Sequence, residues 1–105
     1  MQQKNTFDLV YDIVMKIPKG MVATYGDIAK RMGNPRWSQI VGFALHANPM
    51  PGVIPCHRVV NRFGETSKAF AFGGEDKQRM LLEEEGIKFM PNGRIDLEKY
   101  RWYDE

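Results

Sequence analysis

The chain has 105 residues, 43% hydrophobic and 27% charged, with a formal net charge of +2. This length and balance predict a single globular domain over residues 1–105 and exclude a disordered or fibrous chain. No apolar run reaches the roughly 18–20 residues that cross a bilayer, and the N-terminus lacks a hydrophobic signal segment. We therefore expect a cytoplasmic protein with no membrane partner.

Cysteine content and charge distribution narrow the chemistry. One cysteine excludes an internal disulfide, and with two histidines it falls short of a four-ligand zinc site unless carboxylates help. We expect neither a metal nor a cofactor. Residues 1–68 carry nine Lys/Arg against four Asp/Glu, whereas residues 69–105 carry six against nine. This asymmetry favours a polyanionic partner for the first two-thirds of the chain, the alternative being an unevenly charged solvated surface.

The first predicted element is an amphipathic core helix. Apolar residues recur at helical spacing from Phe7 to Ile17. Thr6 is its candidate N-cap, and Pro18 with Gly20 predicts its end.

Two short helices follow. Thr24–Asp27 predicts a capping box for a helix that ends at Gly33, and Asn34–Pro35 predicts the start of a third helix to about Ala47. This pattern is typical of a helix-turn-helix, the alternative being any αα-corner. Gly42 costs a helix interior about 0.8–1 kcal/mol, which indicates close approach of another helix or a nucleic-acid backbone. The predicted buried face of the third helix comprises Trp37, Val41, Ala44 and Leu45.

The rest of the chain predicts short β segments around one more helix. Residues 58–64 predict a strand entering a turn, residues 65–74 a loop, and residues 75–86 a helix closed by a glycine. Asn92–Gly93 predicts a hairpin turn, and Tyr100 and Trp102 are expected to pack the tail onto the body. The predicted fold class is mainly α with one or two small β-hairpins, a single domain of winged-helix or helix-turn-helix type.

Cys56 and His57 form the candidate reactive site, following Pro55 at the end of a Pro- and Gly-rich segment. A thiolate is the reactive form of cysteine, and an imidazole takes its proton directly or through water. Adjacent side chains of an extended segment point in opposite directions, which favours the relayed route. Glu85 is the candidate to orient the imidazole. The alternative is a small buried cysteine without chemistry.

The segment Ile54-Pro-Cys-His-Arg-Val-Val60 resembles the active-site signature of O6-alkylguanine-DNA alkyltransferases, also called methylated-DNA–protein-cysteine methyltransferases. Residues 20–29 resemble the opening of that family's helix-turn-helix, and residues 41–49 its recognition helix and asparagine hinge. Residues 73–86 resemble the helix that closes its active site. The resemblance covers about residues 7–87.

This resemblance implies a monomeric DNA-repair protein whose partner is duplex DNA containing O6-alkylguanine. The recognition helix would enter the minor groove, the damaged guanine would flip out at a cost of a few kcal/mol, and the cysteine would take the alkyl group irreversibly. The implied catalytic roles are Cys56 as nucleophile, His57 as its base through a water, Glu85 as the holder of His57, Tyr25 as positioner of the flipped nucleotide and hydrogen-bond donor to the leaving guanine, and Asn48 as the hinge.

The same resemblance implies the DNA contacts. The implied DNA-binding residues are Thr24, Tyr25, Arg36, Ser38, Gln39, Gly42 and Arg58. Sequence-independent phosphate contacts are expected from Lys16, Lys19, Lys30, Arg31 and Arg36. The implied pocket residues are Pro55, Val59, Phe70 and Phe72.

Two departures from the family pattern shape the functional hypotheses. The arginine that fills the space of the flipped base is replaced by Gln39, with Arg36 one turn earlier as the alternative, and the loop before Gly73 lacks the usual Tyr-Ser. The frame also resembles the alkyltransferase-like proteins, which bind O6-alkylguanine without repairing it, recruit nucleotide excision repair proteins, and typically lack the cysteine. Cys56 with His57 makes alkyl transfer our first hypothesis, lesion sensing the second, and a helix-turn-helix transcription factor the third.

Overall fold

The computed structural model describes residues 5–50, 52–67 and 74–103. These residues contain five α-helices and a two-stranded sheet. In chain order the elements are α1 (Thr6–Val14), β1 (Ala23–Thr24), α2 (Tyr25–Arg31), α3 (Ser38–His46), β2 (Val59–Val60), α4 (Gly74–Glu84) and α5 (Leu97–Tyr100). One-turn 3₁₀ helices, Pro35–Trp37 and Cys56–Arg58, lead into α3 and β2. The predicted mainly helical class is confirmed.

The first helix differs from its prediction at both ends. Asn5, and not Thr6, is the N-cap of α1, because its side-chain oxygen accepts a hydrogen bond from the backbone N–H of Asp8 at 2.8 Å. Asparagine caps a helix at least as well as threonine. The α-helical bonding ends at Val14, and the chain turns through residues 15–20 while Ile17 remains buried.

The helix-turn-helix follows its local signals closely. Thr24 Oγ1 accepts from the N–H of Asp27 at 3.1 Å, and Asp27 Oδ2 accepts from the N–H of Thr24 at 3.0 Å, which confirms the capping box. Gly33 makes the turn with a φ of +99°, a conformation that favours glycine. The third helix begins as a 3₁₀ turn and becomes α-helical only at Ser38. Val41, Ala44 and Leu45 are buried as predicted, and Trp37 is partly buried against the same core.

The two strands pair in parallel, with Ala23 opposite Val59 and Thr24 opposite Val60. The short strand entering a turn that we predicted over residues 58–64 is confirmed, with the strand itself limited to Val59–Val60. Arg58 belongs to the preceding 3₁₀ turn, and Asn61 ends the strand, since its Oδ1 accepts from the backbone N–H groups of residues 63 and 65 at 2.9 Å each. This pairing across some 35 residues of chain places the start of α2 beside the Cys56–Arg58 turn.

The predicted hairpin around Asn92–Gly93 is reduced to a single antiparallel bridge between Phe89 and Ile95. After α5, which the sequence did not indicate, the tail lies along the segment before β1. The N–H of Trp102 donates to Val22 O at 2.7 Å, and the N–H of Val22 donates to the carbonyl of residue 100 at 2.9 Å. Trp102 packs against the main core, as predicted.

Two apolar clusters form the interior of the described residues. The larger cluster joins α1, α2, α3 and the turn at Cys56. The smaller cluster joins the sheet region to α4 and to the C-terminal segment, through Val22, Val60, Leu82 and Ile95. Tyr11 ties α1 to α3, because its hydroxyl donates to Ala44 O at 2.7 Å. Among the described residues, none of the helices is both long enough and apolar enough to cross a membrane.

Candidate functional site

Cys56 opens the 3₁₀ turn with only 8% of its surface exposed. Asn48, which lies just after α3, donates from Nδ2 to Cys56 Sγ at 3.5 Å and to Ile54 O at 3.1 Å. Its Oδ1 accepts from the N–H of Met50 at 2.8 Å. The predicted hinge residue is therefore hydrogen-bonded to Met50, to Ile54 and to the cysteine itself.

Burial raises the pKa of the Cys56 thiol, while the hydrogen bond from Asn48 acts in the opposite direction. The resting cysteine is thus a neutral thiol at neutral pH. Within the described part of the chain, its side-chain hydrogen bond is to Asn48 and none joins it to His57. The relayed route, in which water would carry the proton from this sulfur to the imidazole, stays a prediction.

His57 lies against Glu85, with its Nε2 3.0 Å from Glu85 Oε2. The 3₁₀ turn, and not an extended segment, carries His57, and α4 ends just before Glu85. Both side chains are largely buried, at 17% and 11% exposed. The structure therefore brings together the predicted base and the predicted residue that orients it, although they are 28 positions apart.

Arg58 completes this cluster from inside. Its Nε donates to Glu85 Oε1 at 2.9 Å, its Nη2 donates to Glu85 Oε2 at 2.7 Å, and its Nη1 donates to Ile17 O at 2.9 Å. Burial alone would raise the pKa of Glu85, but the hydrogen bonds from Arg58 and His57 outweigh it and lower that pKa to about 2. The carboxylate stays ionised and fixed beneath the imidazole.

The placement of Arg58 differs from the DNA-facing role that we expected. Nε, Nη1 and Nη2 of Arg58 all donate to acceptors inside the protein, so the guanidinium points towards the protein interior. The physical reason is the bidentate match between guanidinium and carboxylate, which a buried Glu85 offers and a solvated phosphate does not. Arg58 is therefore a support of Glu85 in this structure.

Tyr25 is the first residue of α2, beside the capping box. Burial raises the pKa of its hydroxyl, whereas a side-chain hydrogen bond with Ser67 lowers it. The hydroxyl is therefore protonated at neutral pH and available as a donor. Tyr25 lies at the junction of two open depressions, which share it and Ser38.

The first depression is a shallow groove of about 340 Å³ along the outer face of α3. It is lined by Tyr25, Ser38, Gln39, Gly42 and Phe43. Phe43 is 58% exposed, and a Cβ built on Gly42 would meet no atom of the described residues within 4 Å. Among those residues, no packing contact therefore requires a glycine at this position. Gln39 lines this groove, whereas Arg36 lies on the exposed 3₁₀ turn outside it.

The second depression, of about 330 Å³, lies between the start of α2 and the turn after β2. Its lining includes Thr24 and Tyr25 on one side and Asn61, Arg62 and Phe63 on the other. Phe63 is 48% exposed beneath the Arg62 guanidinium, 4.7 Å from its ring centre. We did not single out this aromatic and cationic rim, because a polar turn after a short strand resembles any other loop.

The expected phosphate-binding cations divide into two kinds. Lys16, Lys19, Lys30 and Arg36 are exposed. Arg31 instead stacks over the ring of Trp102, 3.6 Å from its centroid, and so holds the tail. Pro55 and Val59 are buried in the motif itself, and the predicted pocket residues Phe70 and Phe72 lie outside the described residues.

Two further residues that we did not predict connect the site to the rest of the fold. Gln78 of α4 is 1% exposed and bonds both the Cys56–Arg58 turn and the chain at Ser67. Arg101 Nε donates to Asp27 Oδ2 at 2.9 Å, which fastens the tail to the capping box of α2. No local signal marks either residue, because each acquires its role from a distant segment. Among the described residues, no three His, Cys, Asp or Glu side chains are grouped to hold a metal ion.

Comparisons with known proteins agree with this geometry. A family model described as the DNA-binding domain of 6-O-methylguanine DNA methyltransferase matches residues 5–87. The DNA base-flipping protein of Escherichia coli is 43% identical over 105 residues, covering 97% of this chain and 78% of that protein. A methylated-DNA–protein-cysteine methyltransferase of Methanosarcina acetivorans is 42% identical over 77 residues, covering 73% and 48%.

A solved structure extends the likeness to the whole chain. Alkyltransferase-like protein 1 of Schizosaccharomyces pombe, in complex with damaged DNA containing O6-carboxymethylguanine, superposes with a TM-score of 0.82 at 37% identity. The match covers 99% of this chain and all of that one. The chain is therefore similar both to a base-flipping protein and an alkyltransferase-like protein and to a methyltransferase.

Proposed function

Because this chain belongs to the family of the 6-O-methylguanine DNA methyltransferase DNA-binding domain, we propose that it binds duplex DNA and recognises O6-alkylguanine flipped out of the helix. The observation that carries the proposal is the groove along α3, whose lining includes Tyr25 and a glycine that no contact within the described part of the chain requires. A minor-groove backbone approaching Gly42 would use that space. Similarity over nearly the whole chain to a DNA base-flipping protein and to alkyltransferase-like protein 1 favours lesion recognition over alkyl transfer, which reverses our order from sequence.

The groove assigns roles to its residues. Gln39, which lines the groove, would replace the flipped base, and Ser38 is small enough to admit the DNA backbone. Tyr25 faces the same groove and the depression towards Arg62, so it would guide the rotating nucleotide. Arg62 and the exposed lysines supply contacts to phosphate that do not depend on sequence.

A glycine-to-alanine substitution tests the groove without weakening the fold. Gly42→Ala removes a helix-interior glycine and has space for its methyl group, so thermal stability should hold or rise. Affinity for a duplex with one O6-methylguanine should fall about tenfold, since a methyl group inserted into a close contact costs about 1–3 kcal/mol. Fluorescence anisotropy at fixed salt measures the affinity. Leu9→Ala, exposed on α1, is the matched control and should bind as wild type.

Two results would overturn this function. One is equal affinity of the wild-type protein for the methylated duplex and for the same duplex with plain guanine. The other is wild-type affinity in Gly42→Ala. Binding that follows one undamaged sequence and ignores the lesion would instead support a transcription factor.

Alkyl transfer to Cys56 is the second candidate, and the grouping of Asn48, Cys56, His57 and Glu85 favours it. In this step the thiol proton passes through water to His57, and the sulfur attacks the alkyl carbon bonded to O6. The S–C bond forms as the C–O6 bond breaks. Guanine leaves with that electron pair, receives a hydrogen bond from the Tyr25 hydroxyl, and finally takes a proton from solvent. The protein ends as a thioether and is used once.

Intact-protein mass spectrometry separates the two candidates. Protein in excess over a methylated duplex should gain the mass of one methyl group if transfer occurs, and Cys56→Ala should gain none. Bound protein with unchanged mass would reject transfer. Under lesion recognition alone, Cys56→Ala keeps its preference for the alkylated duplex, because the α3 groove does not include the sulfur.

The setting of this activity follows from its substrate. We propose a single-domain monomer in the cytoplasm, working on DNA without a cofactor. A protein that holds a lesion without removing it acts through other proteins, and those of nucleotide excision repair are its proposed partners.

A further inference from the structure

Gln78 is a buried amide in the middle of α4, at 1% exposure. Its Nε2 donates to Val59 O at 2.9 Å and to His57 O at 3.1 Å, and its Oε1 accepts from the N–H of Ser67 at 2.8 Å. A buried amide that is left without partners costs free energy, whereas a satisfied one fixes the segments that it joins. Both the nitrogen and the oxygen of the Gln78 amide have hydrogen-bond partners.

The segments that Gln78 joins belong to the two halves of the site. His57 and Val59 bound the turn that carries the reactive cysteine, and their carbonyls are held by the amide nitrogen. Ser67 is held by the amide oxygen, and its side chain hydrogen-bonds Tyr25. The Gln78 side chain thus links the turn that carries His57 to Ser67, which is the hydrogen-bond partner of Tyr25.

We propose that Gln78 is a positioning residue that sets the distance between the Cys56–His57 turn and Tyr25, acting on Tyr25 through Ser67. This inference rests on the proposed recognition of O6-alkylguanine, in which the flipped base would lie between the turn and Tyr25. A glutamine is suited to the task because one amide offers two donors and an acceptor, which neither lysine nor glutamate does. Each of those replacements removes one half of the linkage.

Gln78→Lys is the informative variant. Its ammonium group still donates to the carbonyls of His57 and Val59 but cannot accept from the N–H of Ser67. We expect the ratio of affinities for methylated over plain duplex to fall about fivefold, the equivalent of one net hydrogen bond. The exchange of the Ser67 amide hydrogen should accelerate at the same time. Met80→Lys places the same charge at an exposed position of α4 and should change neither quantity.

A double-mutant cycle separates positioning from general stability. If Gln78 acts through Ser67 on the Tyr25 hydroxyl, the fivefold loss disappears when Gln78→Lys is made in a Tyr25→Phe background. The same loss in both backgrounds, or no loss in the Tyr25-containing protein, would overturn the proposal. If Gln78→Lys fails to fold, Gln78→Met replaces it in the same cycle.

The two proposals fail in different ways. Absence of any lesion preference in the wild-type protein contradicts the function, and the Ser67 exchange measurement still decides the linkage without DNA. Unchanged Ser67 exchange in Gln78→Lys rejects the linkage even when the wild-type protein prefers the lesion.

Discussion

Replacing Glu85 by glutamine should remove much of the protein's acid sensitivity. The pKa of Glu85 is lowered from its ordinary value of 4.5 to about 2, by Arg58 and His57 acting against burial. A group whose pKa is lowered on folding stabilises the folded state above its unfolded pKa, and this stabilisation is lost as the pH falls towards the folded value. Here the full difference corresponds to about 3 kcal/mol, of which about 2 kcal/mol is lost by pH 3.

Urea unfolding followed by tryptophan fluorescence between pH 7 and pH 3 measures this effect. At pH 7, Glu85→Gln should be less stable than wild type by about 3 kcal/mol, since Arg58 loses its carboxylate. Towards pH 3 the two curves should converge by about 2 kcal/mol. Asp27, whose pKa is also lowered, contributes equally to both proteins. Glu84→Gln, at the exposed last residue of α4 next to Glu85, should follow wild type, and parallel curves for Glu85→Gln and wild type would refute the reasoning.

Three further predictions concern the site and its supports. Burial raises the pKa of the Cys56 thiol above its ordinary value of 9.0, so its rate of alkylation by iodoacetamide should still rise above about pH 9; a plateau below that pH would contradict it. Gly64→Ala should cost more than about 2 kcal/mol in urea unfolding, because φ is +80° and the added Cβ would collide with Ile95 O. Arg101→Ala should cost about 1–2 kcal/mol, and a cycle with Asp27→Asn should show coupling between the two.

Local chemistry explains which parts of the fold were predictable. The capping box at Thr24 and the turn at Gly33 depend on residues within four positions of each other, and both formed as expected. The parallel pairing of β1 with β2 depends on segments some 35 residues apart, and two-residue strands leave no period-two pattern to detect. The four-residue helix α5 was too short for helical periodicity to show.

The site shows the same division. The signature around Cys56 identified this turn, and the separate resemblance of residues 73–86 identified Glu85 as the partner of His57. It did not indicate where Arg58 points, since a basic residue beside a DNA site suits either a phosphate or a buried carboxylate. Gln78 was not singled out, because a glutamine within a charged helix has no local sign of burial, and only the tertiary structure brings backbone acceptors to it.

Recognition and transfer make different demands on this one site. Recognition as we propose it uses the groove along the α3 face and the turn that Gln78 holds, and it does not use the sulfur. Transfer adds the removal of a proton from a buried thiol whose pKa is raised. Arg58 engages both oxygens of Glu85, so the carboxylate serves chiefly to hold His57 in place. Lesion binding as proposed thus needs no contribution from Cys56, whereas the proposed transfer needs the flipped base and a bridging water to complete the path from Cys56 to His57.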